Sequence, residues 1–377
     1  MSKQITTACI FIYCSIFVAS SIYVMIPLQP ILAELFTVSL GFASLSSTLF
    51  IFPYALGLLF FGILADRFPL RYVLLAGMIL LTFVTGLLSF SHSIYIIIVL
   101  RAFQGILAAS FAPVTFAYCF KHFKGALQAF TIAMINTGFL FAGVFGQMIS
   151  AYVSSLFTFQ AVFIVFFCLY FTCFIGLYFT LRPSSSKKSY KLSDLYSTIL
   201  SCFRHHSLQK LYSIAFFLLL TIMLFYGAFE FFLYREWKGF PLSLQLLRSV
   251  SLLGIIPAFF ASPLTNRFGA KKVLRFQLGV MVIGFLPAAI HLNVTTVMIA
   301  SLLMIISTSL TIPMVVLLVG KHAGPSKSTA VALYSFVLLI GASIGSTLAS
   351  SLSFTLVVSI IPVLFTALVA FAKFIPD

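Results

Sequence analysis

Charged side chains are scarce in this chain. Only 7% of the 377 residues are Asp, Glu, Lys or Arg, and only six of these are acids. A soluble domain has about 25% charged residues, whereas hydrophobic residues here make up 62% and the mean hydropathy is +1.18. A soluble fold cannot bury so much apolar surface, so the composition excludes soluble enzymes and soluble binding modules. It predicts an integral membrane protein.

Cysteine is also rare, and its spacing has no pattern. The six cysteines form neither the paired spacing of a zinc site nor a disulfide framework. We therefore expect small core cysteines, no metal and no cofactor. The net charge of +16 lacks the interleaved aromatic pattern of a nucleic-acid surface, so nucleic acid is not an expected partner.

Most of the chain consists of long apolar runs that contain few charged residues. A helix needs about 20 apolar residues to cross the hydrocarbon, whereas a strand of a membrane barrel has about ten residues of alternating polarity. The uniform runs predict an all-α membrane protein with twelve transmembrane helices. They lie at about 8–30, 41–64, 71–90, 94–118, 127–152, 157–181, 211–235, 243–264, 273–290, 294–319, 327–350 and 353–375.

The distribution of positive charge predicts the orientation of these spans. Of the 22 Lys and Arg residues, all but Arg101, Arg235, Lys238 and Arg248 fall on the side that holds both termini. Cytoplasmic loops carry an excess of Lys and Arg. We therefore expect both termini in the cytoplasm and the protein in a plasma membrane, which in bacteria is the inner membrane.

An internal repeat relates the two halves. Residues 66–68 read Asp-Arg-Phe after the second span, and residues 266–268 read Asn-Arg-Phe after the eighth. A Lys-His pair at 121–122 recurs at 321–322 with the same offset of 200 residues. Parallel repeats of six spans are typical of one large class of secondary transporters.

The repeat predicts the domain organisation. Two six-helix bundles, 1–181 and 211–377, are joined by a cytoplasmic linker at 182–210. Within the linker, residues 191–203 have apolar side chains at helical spacing, which predicts a helix on the membrane surface.

The first copy of the repeat carries a family resemblance. The segment Gly62–Leu74 reads G-I-L-A-D-R-F-P-L-R-Y-V-L and resembles the cytoplasmic signature between the second and third helices of the major facilitator superfamily. It departs from that signature at Pro69 and Leu70, where the family usually has Gly and Arg. The second copy replaces the acid with Asn266. The chain is most similar to the drug-proton antiporters of this superfamily.

The resemblance implies a charge cluster that holds the two bundles together on the cytoplasmic side in the outward-open state. The matching residues are Asp66, Arg67, Arg71, Arg267 and Lys271. The alternative is that these charges only set the topology.

One arginine lies inside a span. Arg101 is roughly 10 Å along the fourth span, and residues 101–105 resemble the family's R-x-x-Q-G signature, which implies a role in proton coupling. A guanidinium within the bilayer is a functional candidate by default. The alternative is an arginine that reaches the outer interface or binds carbonyls at a helix end.

One acid is left as a candidate proton carrier. Glu230 lies in the seventh span, and we predict that it carries the coupled proton or anchors the substrate, facing Arg101 across the cavity. The alternative is a residue at the mouth of the cavity, paired with Arg235 or Arg248. The other five acids are predicted at the membrane surfaces or the terminus: Glu34, Asp66, Asp194, Glu236 and Asp377.

Two further residue sets follow from close packing and from the resemblance. Small residues let membrane helices approach closely, and the predicted contacts are at Gly62, Gly105, Gly138, Gly143, Gly146, Gly341 and Gly345. The three in the fifth span weakly resemble an antiporter signature, which favours export.

The first, fourth, seventh and tenth helices line the cavity in the family, which implies lining by Tyr13, Ser20, Tyr23, Gln104, Tyr226 and Thr308.

The resemblance implies a secondary active transporter that moves a small organic molecule by alternating access. Proton-coupled efflux by a monomer is the expected mode. Because the interior offers one candidate acid, an uncoupled uniporter or an uptake carrier of a metabolite is the alternative. A membrane-embedded enzyme is not expected, since the acids are scattered and no H-E-x-x-H motif is present.

Overall fold

The fold is entirely helical in the part of the chain that is described. The computed structural model describes residues 2–182, 200–235, 244–324, 326–349 and 351–375. Within these residues, twelve helices are long and apolar enough to cross a membrane. The predicted all-α membrane fold and the predicted number of spans are confirmed.

Ten of the spans are continuous helices. Apart from the first, they begin and end within a few residues of the predicted bounds. They are Ser2–Tyr23, Leu40–Arg67, Leu70–Ser89, Gly125–Leu156, Phe159–Thr180, His206–Arg235, Ala270–Ile290, Val294–His322, Lys327–Ala349 and Phe354–Phe371.

Two spans are interrupted, and proline accompanies both interruptions. The fourth consists of Ile94–Ala108 and Phe111–His122, with Pro113 in the first turn of the second helix. The eighth consists of Leu244–Ser251, a 3-10 segment with Pro257 at Leu252–Phe260, and Ala261–Phe268. Proline lacks the amide that continues an α-helix and is best tolerated in a first turn.

The predicted bounds of the first span, 8–30, are wrong at both ends. The helix begins at Ser2 and ends at Tyr23, and a separate short helix follows at Leu28–Leu35 with Pro27 before it. Proline has no amide to bond the carbonyl four residues earlier, and for Pro27 that residue is Tyr23, so the helix ends there although the apolar run continues.

The two copies of the repeat turn differently between their second and third helices. Gly269 precedes the ninth span with φ of 79°, a conformation that side chains other than glycine rarely adopt. The corresponding residue of the first copy is Pro69, with φ of −58°. The departure from the family signature at Pro69 is therefore a different turn leading into the next helix.

Part of the predicted linker can be described. Residues 183–199 lie outside the described residues, while residues 200–204 are helical and the seventh span begins at His206. Of the predicted surface helix at 191–203, only its last four residues are therefore described, and they are helical.

The chain forms two compact units, and each takes a short segment from the other half of the sequence. Unit 1 contains 1–124, 138–198 and 326–332. Unit 2 contains 125–137, 199–325 and 333–377. The start of the eleventh span thus packs within unit 1 and the start of the fifth within unit 2. The division at 182–210 stays a prediction.

Candidate functional site

Arg101 lies in the core of unit 1 and is among its largest fully buried side chains. Its Nη2 donates to the carbonyl of Ser21 at 2.9 Å, its Nε to the carbonyl of Ser46 at 3.2 Å, and its Nη1 to Oε1 of Gln104 at 2.5 Å. The guanidinium carbon lies 4.1 Å from the centre of the Phe50 ring. This one side chain joins the first, second and fourth spans.

The helix geometry explains the Ser21 contact. The last four carbonyls of a helix have no donor within the helix, and Ser21 is in the last turn of Ser2–Tyr23. Arg101 therefore donates to a helix-end carbonyl, and its side chain is fully buried. All three acceptors are neutral, so dipoles and an aromatic face surround the charge.

Gln104 extends this cluster to the third span. Its Nε2 donates to Oγ1 of Thr85 at 2.7 Å, and Thr85 donates to the carbonyl of Leu81 at 2.7 Å. A Cβ at Gly105 would collide with the carbonyl of Phe50. Glycine is therefore what allows the second and fourth spans to approach closely enough for the cluster to form.

A chain of hydroxyl groups is buried in unit 2. Oη of Tyr226 lies 2.9 Å from Oγ of Ser301, which lies 2.6 Å from Oγ of Ser251, and Ser251 donates to the carbonyl of Leu247 at 2.6 Å. A carbonyl can only accept, so Ser301 must donate to Ser251 and Tyr226 to Ser301. The guanidinium carbon of Arg248 lies 5.2 Å from the centre of the Tyr226 ring.

The sequence analysis predicts Tyr226 as a cavity residue but points to neither Ser251 nor Ser301. A serine within an apolar span is common and does not stand out. The repeat offset of 200 residues relates Ser301 to Arg101, and that offset was the signal that could have found it. The position of the charged Arg101 in unit 1 thus corresponds to a neutral serine in unit 2.

Asp66 binds the first turn of the eleventh span, and both belong to unit 1. Its Oδ2 accepts from the amide of Thr329 at 3.0 Å and from the Thr329 hydroxyl at 2.7 Å, while Oδ1 accepts from the amide of Ser328 at 3.3 Å. The first amides of a helix lack partners within the helix, and negative charge is favoured there. A Cβ at Gly62 would collide with Ala332, so glycine permits this close approach.

The basic residues predicted to join Asp66 make several different contacts. Nη2 of Arg71 donates to the carbonyl of Tyr178 at 3.2 Å, and its guanidinium carbon lies 5.6 Å from the centre of that ring. In unit 2, the guanidinium carbon of Arg267 lies 5.3 Å from the centre of the Phe268 ring. Arg67 ends the second span and Lys271 lies in the first turn of the ninth, and both are half-buried.

Glu230 lies in the seventh span, one turn after Tyr226. Its side chain and that of Arg235 are outside the described part of the structure. Residues 194, 236 and 377, which hold three of the other acids, also lie outside the described residues.

The other predicted cavity residues differ in exposure. Ser20 and Thr308 are fully buried, and each hydroxyl donates to the carbonyl one turn earlier in its own helix. Tyr13 is 37% exposed, and its Oη lies 2.9 Å from Oγ1 of Thr172. Tyr23 is half-buried at the end of the first span.

Most of the remaining predicted packing glycines face another helix at close range. A Cβ at Gly143 would lie 3.6 Å from the Tyr23 ring, which is an ordinary contact. A Cβ would instead collide with a neighbouring helix at Gly138, Gly146, Gly341 and Gly345.

Twelve apolar spans in a twofold sequence repeat, with polar clusters buried inside the units, define a multi-span membrane transporter. The sequence profile of the Major Facilitator Superfamily matches residues 10–345, and the chain belongs to that superfamily, whose members transport small molecules across membranes and are not enzymes.

Several curated proteins are similar in sequence. An uncharacterized transporter of Buchnera aphidicola subsp. Schizaphis graminum is 26% identical over 341 residues, which cover 87% of this chain and 80% of that protein. Escherichia coli inner membrane transport protein YnfM is 24% identical over 69% of this chain and 63% of its own length. Multidrug resistance protein MdtG of Proteus mirabilis is 25% identical, over 62% of this chain and 59% of MdtG. The matches thus span less than two thirds of YnfM and of MdtG.

Solved structures share the fold. The human organic anion transporter MFSD10 matches with a TM-score of 0.78 at 13% identity, covering 99% of each chain. The Escherichia coli fucose:proton symporter FucP matches with a TM-score of 0.76 at 13% identity, covering 98% of each chain. At this identity the likeness concerns the fold alone.

Proposed function

We propose that this protein exports a small organic molecule from the cytoplasm in exchange for protons, by alternating access. The contact of Asp66 with the eleventh span carries the alternating-access part of the proposal. It joins the two sequence repeats, and alternating access needs contacts between repeats that can form and break. The name of the multidrug resistance protein MdtG supports a drug-like substrate, and the name of the inner membrane transport protein YnfM supports an inner-membrane location. The excess of Lys and Arg on the side of the termini supports cytoplasmic termini.

We call the contact between Asp66 and the start of the eleventh span the latch, and we propose that it is electrostatic. A carboxylate at a helix N-terminus is stabilised by the helix dipole and by hydrogen bonds from free amides. Asp66 accepts two such bonds, from the amides of Ser328 and Thr329, and a third from the Thr329 hydroxyl. These bonds join residues more than 260 positions apart in the sequence. We assign Asp66 as the central residue of the latch, and the family resemblance assigns Arg67, Arg71, Arg267 and Lys271 to it as the positive charges.

The replacement Asp66→Asn tests the latch. Asparagine has one acceptor oxygen and no charge, so we expect the segment 326–332 to exchange its amide hydrogens about tenfold faster, the equivalent of losing one charge-assisted hydrogen bond. Hydrogen–deuterium exchange of the purified protein measures this change.

Asn266 is the repeat counterpart of Asp66, and Asn266→Ala is the matched control that should leave exchange at 326–332 unaltered. Equal exchange in Asp66→Asn and in the native protein would show that the carboxylate does not hold this segment.

Proton coupling is assigned to Glu230 and Arg101. Glu230 is the one acid predicted within the bilayer away from its surfaces, where a carboxylate can take up and release a proton as the cavity opens to either side. Arg101 supplies a buried positive charge whose hydrogen-bond acceptors are all neutral. We propose that Arg101 holds the first, second and fourth spans in one arrangement while it contributes this charge to the transport cavity.

Flux into proteoliposomes tests the function as a whole. A thermal-shift screen of metabolites and drugs identifies a ligand, and the protein is then reconstituted with a pH gradient across the vesicle membrane. We expect ligand movement against its gradient, abolished by a protonophore. Movement only down the ligand gradient, insensitive to pH, would establish the uncoupled uniporter instead.

A further inference from the structure

An aromatic groove in unit 2 opens near the start of the seventh span. It has a volume of about 510 Å³ and lies between the seventh, eleventh and twelfth spans and the helical turn before them. Its walls are mainly apolar side chains, with His206, Gln209 and Lys210 at one end. The apolar walls include Phe203, Phe216, Phe217, Val337 and Phe371.

Lys210 is the unusual residue of this groove. It is only 9% exposed, and its Nζ donates to the carbonyl of Phe374 at 2.7 Å. An ammonium has three donors, and within the described residues that carbonyl is the one hydrogen-bond acceptor the ammonium has. A buried ammonium costs several kcal/mol unless a negative charge pairs with it. The groove therefore presents a buried cation that lacks a counter-charge among the described residues.

The surroundings of the groove add positive charge. Arg204 and Lys373 are exposed, and each lies within two residues of a groove residue in the sequence. His206 lines the groove and is exposed as well. Among the described residues that line the groove, none is acidic. The seventh span is predicted to begin on the cytoplasmic side of the membrane, where most Lys and Arg residues of the chain are also predicted.

We propose that this groove binds one anionic phospholipid. The phosphate pairs with Lys210 beside His206 and Gln209, and an acyl chain follows the apolar wall of Phe216 and Phe217. Basic pockets between membrane helices are suited to anionic lipid headgroups. The acyl chain of a lipid would also contact the aromatic walls of the groove, whereas a free anion such as phosphate would not. The site is independent of the transported substrate and of its coupling.

Lipid binding to the purified full-length protein tests the site. Native mass spectrometry follows binding of dioleoylphosphatidylglycerol and dioleoylphosphatidylcholine, and thermal-shift assays compare both lipids with inorganic phosphate. We expect one tightly held phosphatidylglycerol and a rise in melting temperature with that lipid alone. Lys210→Gln, which keeps a donor for Phe374 but removes the charge, should weaken phosphatidylglycerol binding about tenfold.

Two further variants make the test specific. Lys272→Gln changes the same charge at an exposed position at the start of the ninth span and should bind the lipid normally. Ser213→Trp fills the groove without any change of charge and should also weaken binding, which keeps the site testable if Lys210→Gln does not fold.

Three results would overturn the proposal. Equal loss in Lys210→Gln and Lys272→Gln would mean a general surface effect of charge. If phosphatidylcholine bound as tightly as phosphatidylglycerol, the groove would bind acyl chains without recognising the headgroup. Equal stabilisation by inorganic phosphate would mean a site for free anions.

Discussion

Replacement of Arg101 by methionine should destabilise the protein by roughly 2–5 kcal/mol, because Oε1 of Gln104 and the carbonyl of Ser21 would lose their donor in an apolar interior, at about 1–3 kcal/mol each. The contact with the face of Phe50 would be lost as well. The melting temperature of the purified protein should fall by roughly 3–6 °C, because unfolding 377 residues carries an entropy of about 2.1 cal/mol/K per residue.

Arg101→Lys separates charge from geometry. Lysine keeps the positive charge, but its compact ammonium lacks the planar fork that places donors toward three different acceptors. We therefore expect Arg101→Lys to lose much of the stability that Arg101→Met loses. Recovery of the native melting temperature by lysine would mean that charge alone matters at this position.

Arg248→Met is the matched control for Arg101→Met. Arg248 is half-buried and lies over the ring of Tyr226, a contact worth about 0.5–1 kcal/mol when exposed. Its replacement should change the melting temperature little. If both arginines gave the same loss, the buried network of Arg101 would have no special structural importance.

Glu230→Gln should abolish transport driven by a pH gradient, while movement of the ligand down its own gradient persists. Glutamine keeps the size and hydrogen-bonding capacity of the side chain but cannot carry a proton. Reconstituted vesicles with an imposed pH gradient measure this effect, and we expect at least a tenfold loss of accumulation, equivalent to about 1.4 kcal/mol of coupling free energy.

Glu34→Gln is the control for this experiment. Glu34 is exposed in the short helix Leu28–Leu35, outside the twelve spans, so its replacement should leave accumulation intact. Native accumulation by Glu230→Gln would remove this residue from the coupling mechanism. It would leave the latch at Asp66 and the packing role of Arg101 untouched, because neither rests on Glu230.

The candidate site was only partly predictable. Arg101 and Asp66 stood out because a charge in an apolar sequence is conspicuous. Their partners did not stand out. The acceptors of Arg101 are backbone carbonyls and an amide, and Thr329 is one hydroxyl residue among many in the eleventh span. Ser251 and Ser301 were missed for the same reason, although the repeat offset pointed to the second of them.

The sequence by itself determined that this is a membrane protein of twelve helices in a repeated arrangement, because hydropathy over 20 residues is a local sum that needs no knowledge of neighbours. Only the tertiary structure decided that the first helix ends at Tyr23, that Asp66 caps the eleventh span and that Lys210 is buried beside an aromatic groove. Those features depend on how each helix is rotated and which helix packs beside it. In a uniformly apolar chain, the pattern along a single helix carries little information about either.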